Sequence, residues 1–122
     1  MKRQEGDDLI RKHNELLIYK KTEVLLNRIY PTLPNFPKAE KYVLCAEIKK
    51  AFYRLLKFIM LANKVKSKRS YYQEEADGYL QHCKVLMKLS IDQGYISNGF
   101  YKEVSQGLAE IGKMLSGWIK SK

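Results

Sequence analysis

Lysine and arginine recur one helical turn apart along this chain, and that spacing suits the binding of phosphates. Lys50, Arg54 and Lys57 follow one another by four and three residues, with Lys64 seven further on; Lys84 and Lys88 are four apart, Lys113 and Lys120 seven. Like charges so placed repel slightly on an isolated helix, and a polyanion is the simplest partner to offset that. Such contacts are phosphate-dominated and steeply salt-sensitive. Other chemistries find less footing. His13 and His82 are the only histidines, each expected on a helix shoulder or the surface. There is no Ser/His/Asp arrangement, glycine-rich phosphate loop or HExxH pattern. Cys45 and Cys83 lack metal-ligand spacing and read as small packing residues of a reduced, cytoplasmic protein. Glu74, Glu75 and Asp77 cluster near the start of an expected helix, where the dipole accounts for them. The expectation is a protein without metal or cofactor that is not an enzyme.

Helices must position these cations. All three prolines fall in "YPTLPNFPK" at 30–38 and punctuate the chain once. Before them, Ile10, Leu17 and Val24 lie seven apart, flanked by Ile18 and Leu25, with Asp7 and Asp8 at the favourable end of the dipole. After them, Leu44, Ile48, Ala51, Leu55, Phe58 and Ala62 alternate steps of four and three, a seam buried against other helices. Pro37 fits the first turn of that helix. Tyr72, Ala76, Tyr79, Cys83 and Leu86 repeat the rhythm beyond a polar connection, with Leu80, Met87 and Ile91 beside them. Gly94 suits a C-terminal cap and Ser97 an N-cap.

The last segment carries two apolar lines, Phe100–Val104–Gly107–Ile111–Met114–Trp118 and Tyr101–Leu108–Gly112–Leu115–Ile119. That stripe is wide enough to touch more than one neighbour. Gly107 and Gly112 lie within it and permit close helix approach, whereas Gly117 lies off it, without a reason in the periodicity. The expected fold is all-α: one domain over 1–122, an antiparallel up-down-up-down four-helix bundle with helices near 8–29, 38–64, 70–92 and 98–120.

The chain has 122 residues and a net charge of +10, with 45% hydrophobic residues to build a core. Residues 41–69 hold nine basic residues against one acid, Glu47. Nucleic acid is therefore the first expected partner, an anionic membrane surface the second and an acidic protein the third. No apolar run is long enough to span a bilayer, and no membrane partner is expected. Of the nine tyrosines, Tyr42, Tyr53 and Tyr101 are candidates for stacking on exposed bases.

"FPKAEKYVL" at 36–44, followed by a long basic helix, resembles the small four-helix-bundle proteins encoded within intervening sequences of large ribosomal RNA. It also resembles the accessory variability determinant (Avd) proteins of diversity-generating retroelements. "FIMLANK" at 58–64 and "EIGKMLSGWIKS" at 110–121 are similar to the Avd branch specifically. The resemblance runs from about Tyr19 to the C-terminus and leaves residues 1–12 without a counterpart.

It implies a homopentameric barrel of bundles with a basic surface. Such a subunit would be non-catalytic, would associate with the element's reverse transcriptase and its template RNA (or an RNA/DNA hybrid), and would support mutagenic cDNA synthesis. Lys84 and Lys88, after Ala76 and Asp77, match family basic positions, with lysine for an expected arginine that loses bidentate geometry. Lys64 and Lys113 match as well. A pentamer would suit the wide stripe of the last helix, placing Gly112, Leu115 and Trp118 at an oligomer interface. Three alternatives stand beside this: a ribosomal-RNA-binding or structural intervening-sequence relative, a membrane-surface or acidic-protein adaptor using residues 41–69, and a metal-dependent nuclease.

Overall fold

The computed structural model describes residues 2–121, with side chains described for Leu9 and for residues 16–121. Four helices follow in order: α1 Lys2–Ile29, α2 Leu44–Lys64, α3 Arg69–Asp92 and α4 Asn98–Lys120, with no strand among the described residues. Each packs on two others, α1 and α3 both lying against α2 and α4. Lys21 pairs with Glu110 and Arg28 with Glu103, so α4 descends as α1 rises. The expected four-helix, all-α fold is what these elements make.

The core lies between the helices. Phe52, Leu55 and Ile59 of α2 meet Leu80 and Met87 of α3, Leu108, Ile111 and Leu115 of α4, and Ile18 and Ile29 of α1, all essentially inaccessible to water. Burying each large apolar side chain contributes about 1.5–3 kcal/mol, which outweighs the weak helix propensity of the β-branched and aromatic residues among them. Phe58, expected in the α2 seam, is only half-buried; its ring stacks on Tyr79 at 5.5 Å instead. Phe52 and Ile59, outside the expected seam, are fully buried.

The ends are set by local chemistry. The Ser97 hydroxyl accepts from the Phe100 N–H at 3.1 Å, the N-cap expected for α4. At the end of α3, the Tyr95 N–H reaches the Ser90 carbonyl and the Gly94 N–H that of Ile91, both at 2.9 Å. This Schellman closure needs a left-handed residue, and Gly94 supplies it at φ 77. Arg69 closes α2 from outside: its Nε donates to the Ala62 carbonyl at 2.8 Å and its Nη2 to that of Asn63 at 3.2 Å. Two carbonyls that lack an intrahelical partner are thereby satisfied.

Three sequence expectations need correction. The first helix begins at Lys2, not near residue 8, and its expected core line is out of phase. Leu17 and Val24 are 36% and 50% exposed, while Ile18 and Leu25, one residue later, are buried. Both lines are apolar, so spacing alone cannot choose between them; the contact with α4 does. A Cβ on Gly107 would lie 3.1 Å from Leu25 Cδ1, the close approach that the missing side chain permits. Ile10, Asp7, Asp8 and His13 lie outside the described side chains.

The second correction concerns residues 38–43, expected as the first turns of α2. Instead a 3-10 turn covers Lys38–Glu40, after another at Tyr30–Asn35, and α2 starts at Leu44. Phe36 is buried and the Glu40 carboxylate accepts from the Tyr95 hydroxyl at 3.0 Å; both ties hold the segment against the α3–α4 loop. The third concerns the dipole account of Glu74 and Glu75: α3 starts at Arg69 and has no acid in its first turn, where the dipole acts. Glu75 instead faces Tyr71, and its charge holds that phenol above its ordinary value. Among the described residues, no helix is long and apolar enough to cross a membrane.

Candidate nucleic-acid interface

α3 and α4 leave a groove of about 530 Å³ between them, and three of the candidate cations line it: Lys84 from α3, Lys113 and Lys120 from α4. Its α4 wall is built of small residues, Ala109, Gly112, Ser116 and Gly117, and its only acid among the described residues is Asp77. Lys84 Nζ lies 3.8 Å from where a Gly112 Cβ would stand, and Leu80 Cδ2 lies 3.4 Å from the same point. Gly112 thus leaves room for an ammonium beside the α4 backbone. Gly117 lines the groove with nothing within 4 Å of a Cβ placed on it, so its place in the molecule is a widened groove rather than a tight helix contact.

Lys88 differs from Lys84 although one turn separates them. It sits outside the groove and donates to Asp92 Oδ1 at 2.5 Å; that bond, and the carboxylate's charge, hold its ammonium above the ordinary lysine pKa. The sequence pairs the two lysines; the fold separates a groove cation from one already matched to an acid.

On the other flank of α3, two of the three α2 cations, Arg54 and Lys57, stand on aromatic rings. Arg54 lies 5.7 Å from the centre of the Tyr79 ring and Lys57 5.5 Å from that of Phe58, the two rings being stacked within 5° of parallel. A ring face attracts a cation without cancelling its charge, so these groups remain open to an anion. Lys50 has Glu47 at 3.9 Å, a loose pair at the surface. Lys64 is exposed in the last turn of α2.

The residues expected at an oligomer interface are engaged within the chain itself. Leu115 and Trp118 are 1% and 7% exposed within this chain's own core, which leaves their side chains little surface for a second copy. Gly112 faces Leu80 and Lys84 of the same chain. α1 carries four exposed apolar residues, Leu9, Leu16, Leu17 and Val24; Val43, Met60 of α2, and Val85 and Leu89 of α3 are exposed as well.

Of the stacking candidates, Tyr42 is 81% exposed and Tyr53 half-exposed, whereas Tyr101 packs against the core. His82 is half-buried on α3, the shoulder position expected. Cys45 and Cys83 are both buried free thiols. Burial pushes the Cys83 thiol up to about 12, and burial followed by the charge of Glu40 raises Cys45. Among the described residues, no group of three or more His, Cys, Asp or Glu could hold a metal ion.

Sequence reasoning passed over Lys38 and Lys49 as members of a site. Both line a pocket beside Tyr30 together with Lys41. Their grouping depends on the 3-10 turn, which a helix expected from residue 38 concealed.

The family model described as bAvd-like matches residues 16–122. No curated protein matches the chain.

Proposed function

The chain belongs to the bAvd-like family, whose members are accessory proteins of diversity-generating retroelements, and from that premise we propose that it holds the element's template RNA and reverse transcriptase together on basic surfaces. It does no covalent chemistry itself; the polymerase copies, and this subunit supports mutagenic cDNA synthesis in the cytoplasm. The observation that carries the reading is the convergence of Lys84, Lys113 and Lys120 on one groove with a single acid. Three ammonium groups over a wall of small residues suit a phosphate backbone, which needs close approach and supplies the missing negative charge. Arg54 and Lys57, resting on rings rather than carboxylates, extend the attraction across α3. The bAvd-like match favours this branch over the intervening-sequence relatives.

The functional unit we propose is a homopentamer. Its support is the apolar line of Leu9, Leu16, Leu17 and Val24 on α1, surface that a neighbouring copy would cover.

The test is co-purification with the reverse transcriptase, together with RNA binding as a function of salt. The Lys84→Glu/Lys113→Glu variant should lose both associations while keeping wild-type helical circular dichroism. Unchanged binding in that variant removes the groove from the site.

A further inference from the structure

We infer that the proline-turn pocket takes a single unstacked nucleotide of a single-stranded RNA: the base against Tyr30, the phosphate among Lys38, Lys41 and Lys49. This rests on the RNA-binding reading of the chain but not on the α3/α4 groove. The pocket encloses about 390 Å³, within the range of small-ligand sites.

Local geometry builds it. In a 3-10 turn, residues three apart eclipse one another, so Lys38, which opens the Lys38–Glu40 turn, and Lys41, which caps it, project the same way. The turn is closed by the Lys41 N–H on the Lys38 carbonyl at 3.1 Å. Glu40, the acid between them, is drawn to the Tyr95 hydroxyl at 3.0 Å, and no carboxylate lines the pocket. Phe36 and Pro37 give it an apolar wall.

Lys49 Nζ sits 5.1 Å from the centre of the Tyr30 ring, a resting place for an ammonium with no anion at hand. A nucleotide satisfies both groups better: the ring receives a base and the ammonium turns to a phosphate.

The alternation of ring and cation continues beyond the pocket. Tyr53 lies 6.5 Å from Tyr30, ring centre to ring centre, and Lys41 Nζ is 5.4 Å from the centre of the exposed Tyr42 ring. Exposed rings beside ammonium groups are what single strands use, stacking successive bases while phosphates track the charge. A duplex keeps its bases stacked inside and would leave the rings idle; an acidic peptide would use the lysines alone.

The experiment compares binding of a short oligouridine and of an RNA duplex of equal length to the full chain. Tyr30→Leu should weaken oligouridine binding about tenfold, the scale of one lost stacked base, and leave duplex binding unchanged. Tyr30→Phe, which keeps the ring, should bind like wild type. Lys38→Gln/Lys41→Gln should lower the slope of log affinity against log salt by about 1.4, two single-strand phosphate contacts. Ultraviolet cross-linking of oligouridine to the unaltered chain gives a readout independent of variant folding, with adducts expected within residues 30–53. Adducts confined elsewhere, or wild-type oligouridine affinity in both Tyr30→Leu and the lysine pair, would overturn the pocket while leaving RNA binding intact. Polyglutamate displacing oligouridine equally well from wild type and Tyr30→Leu would overturn it in favour of an acidic protein. A wild-type chain that binds neither RNA defeats this inference and the proposed function together.

Discussion

Arg28 and Glu103 form a two-pronged pair across α1 and α4: Nε donates to Oε2 at 2.8 Å and Nη2 to Oε1 at 2.9 Å. The guanidinium holds the carboxyl below its ordinary value, first through the hydrogen bond and then through charge. A carboxylate whose folded pKa is depressed adds stability above its unfolded pKa and loses it as pH falls through the folded one. A double-mutant cycle with Arg28→Ala and Glu103→Ala should therefore show favourable coupling at neutral pH. That coupling should disappear below the ordinary carboxylate range, and shrink with salt because both groups are exposed. Coupling that persists in acid would mean packing, not charge, joins the two.

The glycines of α4 should respond in opposite directions. Gly107→Val forces a branched side chain onto Leu25, whose Cδ atoms already lie 3.1 and 3.2 Å from a Cβ, and should destabilise by about 1–3 kcal/mol. Gly117→Ala meets nothing within 4 Å and should stabilise by about 0.5–1 kcal/mol in urea unfolding. If the groove binds RNA, the same alanine should weaken binding while it raises stability.

Lys84 and Lys88 should separate in RNA binding. Lys84→Gln removes a groove cation and should lower the salt slope by about 0.7–0.9. Lys88→Gln removes a charge already matched by Asp92 and should change the slope less. Equal losses would mean that Asp92 gives up its lysine when RNA arrives.

These lysines mark the limit of what the residues alone disclosed. The four-three rhythm found buried residues on α3 and α4, Ala76, Cys83 and Leu86 on one and Val104, Ile111 and Trp118 on the other, though Tyr72 and Tyr79 of the same α3 line are only half-buried. Gly94 and Ser97 marked the ends because their backbone chemistry is local. α1 misled because Leu17 and Ile18 are equally apolar, and a one-residue rotation is decided only by what packs opposite, here Gly107. Residues 38–43 misled because Pro37 suits a 3-10 turn as well as an α-helix, and the deciding tie runs from Glu40 to Tyr95, distant in sequence. Lys113 was legible as a cation; that it shares a groove with Lys84 depends on how α3 meets α4, which no spacing encodes.

The two thiols should be distinguishable. Cys83 keeps its proton to about pH 12 in the folded chain, whereas an unfolded thiol ionises near 8.5. Unfolding then releases a proton between those values, so stability is unaffected at neutral pH and falls as pH rises, by up to about 1.4 kcal/mol per unit. This alkaline slope should be smaller in Cys83→Ala than in wild type, measured by urea unfolding between pH 8 and 11 (about the range where protein and thiol both remain measurable). Iodoacetamide should modify neither thiol quickly in the native chain.

The apolar line of α1 should control assembly. Leu17→Glu/Val24→Glu should convert a pentamer into monomers by light scattering while leaving the helical spectrum and melting temperature near wild type, since both residues face outward. A wild-type chain that is already monomeric removes the pentamer from the proposal.

Arg69 has one more effect. By gripping the carbonyls of Ala62 and Asn63, and lying 5.8 Å from the centre of the Trp118 ring, it turns the short link between α2 and α3 into a stiff knuckle. On the proposed RNA-binding role, Lys66 and Lys68, carried on that knuckle, would meet an incoming strand with their backbone already in place, so less freedom would be surrendered on docking. Loosening the knuckle with Arg69→Gln would leave every lysine present, yet should speed release of the bound strand.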